Sequence, residues 1–407
     1  MKYQIARHKS ASPLPQSSGL NLLQQDICLP AAVLKQQAIQ HNLNWMQSFA
    51  TQSQVLLAPH GKTSMTPWLF QRQLAAGAWG LTVATAWQAQ IAADAGARHI
   101  ILANQLVGKA NMALVAKLLQ QSTEVFVCVD HPAQVQALSD FFQPLQLNIA
   151  VLIELGVPGG RCGCRTEKDV MALAHQINTL PAVQLAGIEF YEGVIKGPEP
   201  EQAVRQLVKQ AVSLMQSLLK QKLLQYPIQL ISGAGSVWYD VVAEELSAAL
   251  LPDQVKLVLR PGCYISHDEG IYQQAQKQVL ARSTLACSVG GDLQNALELA
   301  VYVQSLPEPG LAVLGFGKRD AAFDAGLPAA VALYRHGELL TTALQNCETI
   351  KVMDQHAFWR YDEAVQPQIG DILLLSTSHP CLTFDKWRTL WLVDENYNLL
   401  QELDTFF

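Results

Sequence analysis

From Ala31 onward the chain alternates two kinds of apolar spacing. Residues 31–50 carry Leu34, Ala38, Trp45 and Phe49, with Val33, Ile39 and Met46 beside them. Spacing of three and four gathers such positions on one face and predicts a helix. Short continuous apolar runs instead predict strands buried on both faces. They occur at 55–58, 79–85, 99–103, 124–129, 147–154, 183–190, 228–231 and 256–259. The intervals read as helices at 67–76, 87–95, 109–120, 132–142, 166–179, 200–225 and 237–249. Eight apolar strands with interposed helices predict an α/β fold, a (β/α)8 TIM barrel. An open doubly wound sheet competes. The count of eight, and the lack of a Gly-x-Gly-x-x-Gly turn after the first strand, favour the barrel. Beyond about Tyr264 helical periodicity fades. Runs at 297–303, 311–316 and 372–376 alternate with Gly and Pro turns, so a second, mostly β domain is expected. The expected division is a barrel over 30–264 and a C-terminal β domain over 265–407, with the polar, irregular residues 1–29 packed on it.

A barrel of this kind does its chemistry at the carboxyl ends of its strands. In chain order those ends deliver Lys62, Thr85, Asn104, Asp130-His131, Glu154 leading to Gly159-Gly160-Arg161, Tyr191, Ser232-Gly233-Ala234-Gly235-Ser236 and Arg260-Pro261-Gly262. Lys62 lies in Ala58-Pro59-His60-Gly61-Lys62-Thr63. A lysine on that loop is half-desolvated and aimed into the pocket, which lowers its pKa and prepares it to condense with an aldehyde. A solvated surface lysine is the ordinary alternative. The small residues 232–236, just before a helix, let backbone N–H groups and a positive dipole end approach an anion. A phosphate and an aldehyde together suggest pyridoxal 5′-phosphate. Arg161 or Tyr191 could then reach its ring; the alternatives are a structural ion pair and a rim-packing residue.

Composition narrows the function classes. The net charge is −6 with no basic cluster, which argues against a nucleic-acid or anionic-membrane surface. Charged residues and Gln interrupt every apolar run before it reaches membrane-spanning length. Met1-Lys2-Tyr3-Gln4 has no apolar core, so no secretory leader is expected. The eight cysteines are scattered, several in apolar runs such as 125–129 around Cys128, and read as reduced residues of a cytoplasmic protein. Cys162-Gly163-Cys164 is too tight for a zinc ribbon and has no second pair. His379 and Cys381, two apart on a segment expected to be extended, point to one side. Imidazole plus thiolate suits zinc, and two ligands would leave room for substrate. A buried cysteine beside an ordinary histidine is the alternative.

At these residues the chain resembles the fold-type III pyridoxal-phosphate enzymes, in the metal-dependent D-serine dehydratase and D-threonine aldolase-like branch. The matching motifs begin with Pro59-His60-Gly61-Lys62-Thr63, the run 77–85 and Ala93-Asp94-Ala95-Gly96. Ala103-Asn104-Gln105, Gly160-Arg161-Cys162-Gly163 and Tyr191-Glu192-Gly193 follow. The last are Ser232-Gly233-Ala234-Gly235, Leu259-Arg260-Pro261-Gly262 and Ser378-His379-Pro380-Cys381. The resemblance implies an alanine racemase N-terminal-like barrel with a C-terminal β domain, working as a homodimer. It implies that Lys62 holds the cofactor, that Arg161 and Tyr191 flank it and that the 232–236 turn binds its phosphate. His60, Thr85 and Arg260 complete the expected cofactor-binding set. It also implies that His379 and Cys381 hold a divalent metal, zinc first, with Mn or Mg as alternatives. Two departures stand out: Ser64-Met65 where many relatives have His-Lys, and Ala234 where glycine is common.

The expected reaction is dehydration and deamination of a β-hydroxy D-amino acid such as D-serine, giving a 2-oxo acid and ammonia. The partner is thus a small amino acid, with no nucleic acid and no membrane. The alternatives are retro-aldol cleavage to glycine and an aldehyde, racemisation, and a non-catalytic pyridoxal-phosphate carrier. The carrier resembles the barrel alone, and the second domain argues against it.

Overall fold

The computed structural model describes residues 9–12 and 19–407. Met1–Gln4, on which the reading of the leader rests, lies outside the described residues. The first regular strand is β1 (Ala31–Lys35), followed by α1 (Gln36–Gln52). This corrects the expected helix over 31–50 and moves the start of the barrel. Ala31-Ala32-Val33-Leu34 is a continuous apolar run, buried throughout, and such a run does not by itself distinguish strand from helix. Helical periodicity proper begins after it.

The barrel then builds as β2 (Leu56–Leu57), α2 (Pro67–Ala75), β3 (Leu81–Val83), α3 (Ala86–Asp94), β4 (His99–Gln105), α4 (Lys109–Gln120) and β5 (Glu124–Val129). It continues through α5 (Pro132–Phe142), β6 (Ile149–Leu155), α6 (Glu167–Ile177), β7 (Val183–Phe190), α7 (Pro200–Lys220), β8 (Gln229–Gly233), α8 (Tyr239–Ser247) and β9 (Val255–Leu259). The eight strands are parallel, in the order β2-β9-β8-β7-β6-β5-β4-β3. Trp79 N–H donates to Leu57 O (2.8 Å) and Thr82 N–H to Pro59 O (2.9 Å), which nearly closes the ring between β3 and β2. The eight-strand α/β expectation therefore holds.

Local sequence explains the elements. Helix α7 starts with Pro200 in its first turn and buries Val204, Leu207, Val208, Ala211, Leu214, Met215 and Leu218 along one stripe. Helix α5 opens on a capping box, His131 accepting from Ala133 N–H while Gln134 reaches back, with Pro132 at the start. Strand side chains separate into two sets. Ile101, Phe126, Ala150, Leu152, Ala186, Leu230 and Val258 form one compact cluster. Alternate residues such as Val125, Val127, Val151 and Leu185 join the larger core with the helices.

The segment after β9 is not all β. It opens with α9 (Ile271–Arg282) and α10 (Thr284–Val289). Helix α9 buries only Ala275, Gln276 and Val279, too thin an apolar stripe to read from spacing. Strands follow: β10 (Leu297–Glu308), β11 (Leu311–Leu314), β12 (Ala329–Arg335), β13 (Glu338–Thr341), β14 (Glu348–Val352), β15 (Ala357–Arg360) and β16 (Ile372–Ser376). The one-turn α11 (Cys381–Phe384), β17 (Thr389–Val393) and β18 (Leu399–Asp404) complete the chain. The main path of the sheet is β13-β12-β16-β10-β1-β17-β18. Strand β1 thus lies in the second sheet, antiparallel to β10 and parallel to β17. Leu22, Leu23 and Ile27 pack on the same sheet with Ile372, Leu374 and Trp391. One large core joins barrel helices to sheet residues such as Leu299, Val301 and Leu375. Among the described residues no helix is long and apolar enough to cross a membrane.

Candidate active site at the barrel mouth

Lys62 sits in a single 3-10 turn, Gly61–Thr63, directly after β2. The turn is held from inside: His60 Nδ1 accepts from Lys62 N–H at 3.4 Å. It is also pressed from outside. A Cβ at Gly61 would come within 2.7 Å of the Phe70 ring, so only glycine lets the loop lie there. Lys62 is reachable from the mouth but ringed by protein. Its ammonium is held below its ordinary pKa first by burial, with Arg161 and Arg260 adding and Cys381 and Cys263 opposing. His60 is held well below its usual range by burial and by Lys62.

Around Lys62 the cavity is lined by His60, Ala84, Ala103, Asn104, Arg161, Tyr191, Ala234, Gly235 and Arg260. Of the expected cofactor set, the structure thus gathers His60, Lys62, Arg161, Tyr191, Ala234, Gly235 and Arg260 into one space. Thr85 is used otherwise: its side chain caps α3 by accepting from Gln88 N–H, and Ala84 lines the cavity beside it. Ser232 is buried and donates to Val258 O. Gly233 lies against the Phe190 ring. Ser236 Oγ accepts from Gly262 N–H (3.2 Å) and Cys263 N–H (3.1 Å), tying the strand-end turns of β8 and β9 together. The helix expected directly at this turn starts only at Tyr239, after Val237 and Trp238. Glycine is needed at 262, where a Cβ would stand 2.6 Å from His60 O. Ala234 has φ +71°, a left-handed conformation that disfavours any Cβ.

Arg161 lies over the Tyr191 ring, its guanidinium carbon 4.7 Å from the centroid. The cation is exposed at the mouth, so its partner is a ring rather than a carboxylate. Neither Arg161→Ala nor Tyr191→Phe should lower Tm appreciably, because neither side chain is core. Each should instead shift the cofactor's visible spectrum or weaken its binding, measured by equilibrium titration. Loss of stability with unchanged cofactor binding would return both to a structural role.

Beneath the mouth lies a buried polar layer. Arg260 donates to Phe190 O at 2.9 Å and pairs with Glu189. Its Nε has no partner. Glu154 accepts from Gln105 Nε2 at 2.6 Å. Cys128, Glu154 and Glu189 have ligand atoms all within 4.8 Å of one another. Two carboxylates that close repel each other as anions. Burial, then Glu189, pushes Glu154 up to about 7, and burial pushes the Cys128 thiol well up. Glu189 is already paired with Arg260, which makes this a poor cation site. A raised carboxyl pKa stabilises the fold below about 4.5, where the group is protonated in both states, and that contribution is lost as pH rises through about 7. Glu154→Gln should therefore gain about 1–3 kcal/mol relative to the wild type between pH 5 and pH 8. Parallel Tm–pH curves for the two proteins would refute the raised pKa of Glu154.

The second domain closes the site. The segment expected to be extended at 378–381 instead turns into α11, with Pro380 helical and Cys381 its first residue. Proline's fixed φ is suited to a helix start. Cys381 Sγ is nevertheless 3.4 Å from Thr63 Oγ1, beside Lys62, and 3.6 Å from Cys263 Sγ. Its thiol is held well below its usual range, first by a hydrogen bond from Cys263 and then by His379 and Thr63. His379 bonds Cys381, and its Nδ1 lies 2.8 Å from Asp324 Oδ2; the two partners raise the imidazole to about 9. Asp324, Cys263 and Glu189 were not legible as site residues. Cys263 follows the Arg260-Pro261-Gly262 motif, the one signal that could have found it.

These features define a class: a barrel enzyme with a partly desolvated lysine, a buried guanidinium with its Nε unpartnered, a stacked Arg–Tyr pair and a glycine turn around one cavity. That donor set fits a phosphorylated aromatic aldehyde. The Cys381–His379 pair, with Asp324 behind the imidazole, fits a divalent cation of borderline softness. The chain matches the family "Alanine racemase, N-terminal domain" over residues 34–247 and "Putative serine dehydratase domain" over residues 296–393. The chain belongs to the alanine racemase N-terminal domain family of fold-type III pyridoxal-phosphate enzymes, in a branch whose relatives are lyases of β-hydroxy D-amino acids. A D-threonine aldolase from Arthrobacter sp is 28% identical over 379 residues, 92% of this chain and 91% of that protein. The D-threonine aldolase structure from Filomicrobium marinum superposes with a TM-score of 0.78 at 22% identity, covering 96% of this chain and 98% of that one. D-threo-3-hydroxyaspartate dehydratase from Delftia sp. HT23 gives 0.74 at 20% identity, with 95% and 99% covered.

Proposed function

We propose that this protein is a pyridoxal-phosphate- and divalent-metal-dependent dehydratase of a β-hydroxy D-amino acid of the D-serine type, giving a 2-oxo acid and ammonia. The observation that carries the reading is the Cys381–His379 pair set against Thr63, one residue from Lys62. It sets an imidazole and a thiol, which together suit a zinc-like cation, beside an amine.

When bound, pyridoxal phosphate would supply an electron sink for the charge left at the substrate's Cα. A zinc-like cation on His379 and Cys381 would act as a Lewis acid on the β-hydroxyl, which is otherwise a poor leaving group. The remaining roles fall to the chain itself. Lys62 would hold the cofactor and would take the substrate's α-proton on Nζ; its lowered pKa keeps more of that amine neutral. Arg260, anchored by Glu189 and Phe190 O, faces the ring with a fixed charge. Arg161 and Tyr191 cover the mouth. Ala234 and Gly235, the part of the 232–236 turn that lines the cavity, would receive the phosphate, and Glu192 fixes the turn by accepting Gly235 N–H at 2.7 Å. Asp324 holds Nδ1 of His379 and so leaves Nε2 for the metal. Thr85 supports the wall by capping α3. The family resemblance further suggests a homodimer.

The aldolase relative spanning nearly the whole chain favours one second reading, retro-aldol cleavage with the same parts. Products separate the two. Purified protein should release 2-oxo acid and ammonia from D-serine or a D-3-hydroxy homologue. Stoichiometric glycine and aldehyde from D-threonine, without 2-oxo acid from any substrate, would replace dehydration by cleavage.

A further inference from the structure

We propose that Cys263 is a third protein ligand of the metal, making the site a two-thiolate, one-imidazole centre that selects zinc-like cations over oxygen-seeking ones. The inference rests on the metal reading above. Cys263 comes from the barrel, in the short turn Cys263–Ile265 that follows β9. His379 and Cys381 come from the second domain. Two separate parts of the chain therefore meet at one pair of sulfurs.

The position of Cys263 is fixed before any ligand arrives. Its N–H donates to Ser236 Oγ at 3.1 Å. The preceding Gly262 is wedged against His60 O and Thr63 Oγ1. The side chain is 4% exposed and points at Cys381, Sγ to Sγ 3.6 Å. Thr63 Oγ1 contacts both sulfurs, at 3.7 and 3.4 Å. Two thiolates on one tetrahedral zinc, each bonded at about 2.3 Å, stand about 3.8 Å apart. The observed pair needs almost no movement to accept such an ion. On the far side of Cys381, His379 hydrogen-bonds its sulfur, while Asp324 bonds Nδ1 of the ring. The order of ligand atoms is thus imidazole, sulfur, sulfur.

The His379–Cys263 side of this triangle remains open. Among the described residues only Cys128, Glu154 and Glu189 already have three ligand atoms within 4.8 Å of one another. The cation would draw the imidazole and Cys263 together, as metal sites commonly tighten on loading. Three ligands then leave a fourth position for the substrate hydroxyl, the pattern of catalytic zinc held by two cysteines and one histidine. Thiolates disfavour Mn²⁺ and Mg²⁺, which take carboxylate, carbonyl and water oxygens. A second sulfur therefore sets which metal the enzyme uses.

The test is X-ray absorption at the zinc edge on the holoenzyme, with a chelator competition run in parallel. Wild-type protein should show two sulfur neighbours and at least one imidazole. Cys263→Ser should show one sulfur and lose zinc affinity by more than the ~10–100-fold that removing an outer-sphere partner costs. Its preference for zinc over Mn²⁺ should narrow, with cofactor content retained. Cys263→Ala provides the same comparison should the serine variant misfold, and the sulfur count of the wild type needs no variant at all. A single sulfur in the wild type, lost in Cys381→Ser and kept in Cys263→Ser, overturns the role of Cys263 and leaves the His379–Cys381 site standing. Failure of the wild type to retain any divalent metal overturns both.

Discussion

Lys62→Ala should fold normally yet lose the visible absorbance that the cofactor shows when joined to a lysine. Turnover should fall by at least ~10³-fold, since on the proposed reading one side chain would both hold the cofactor and move the α-proton. Lys62 is the amine at the centre of the cavity, on a turn that Gly61, Phe70 and His60 fix in place. Borohydride treatment of wild-type protein should fix the cofactor on the peptide containing Lys62. Because the side chain packs in no apolar cluster, Tm without cofactor should change little. A label on another lysine, or full absorbance in the variant, would remove Lys62 from its assigned role.

Removing the metal should stop 2-oxo acid formation while leaving the substrate's α-proton exchangeable. Proton removal needs only Lys62 and the cofactor. Departure of hydroxide needs a charge acceptor, which His379 and Cys381 would hold in place. Treatment with a strong chelator, or Cys381→Ala, should lower dehydration by more than ~10²-fold without unfolding, since the apolar core does not depend on the ion. Solvent deuterium should still enter Cα of recovered substrate. Metal-free protein that makes 2-oxo acid at the full rate would end the Lewis-acid reading.

The sequence disclosed the barrel through its strands. Runs such as 124–129 and 149–155 are apolar at nearly every position, which only burial on both faces explains. At 31–35 the equally apolar run was absorbed into the helical spacing that follows it, although it is a strand of the other sheet. Helix α9 escaped notice because Tyr272, Gln273, Gln274 and Gln276 dilute its apolar stripe. Among site residues, those beside glycine were readable: Lys62 after Gly61, Arg161 after Gly160, and the 232–236 turn. Asp324 and Cys263 were not. Asp324 reaches His379 from a loop far away in sequence, and Cys263 meets Cys381 only when the two domains pack. Such pairs exist in space alone, and no local period or propensity announces them.

The placement of β1 bears on how the chain can be made. Its partners are residues 297–300 on one side and 391–393 on the other. During synthesis the whole barrel emerges before either partner does. The strand that leads into α1 must wait with both edges unsatisfied, a template for wrong pairing. Contacts this distant in sequence are slow to form. A cut between the two domains would not yield two independent halves, because the amino-terminal piece would carry away a central strand of the carboxy-terminal sheet. Only a rearranged chain order, with residues 19–35 supplied after 404, would let the sheet assemble without the barrel.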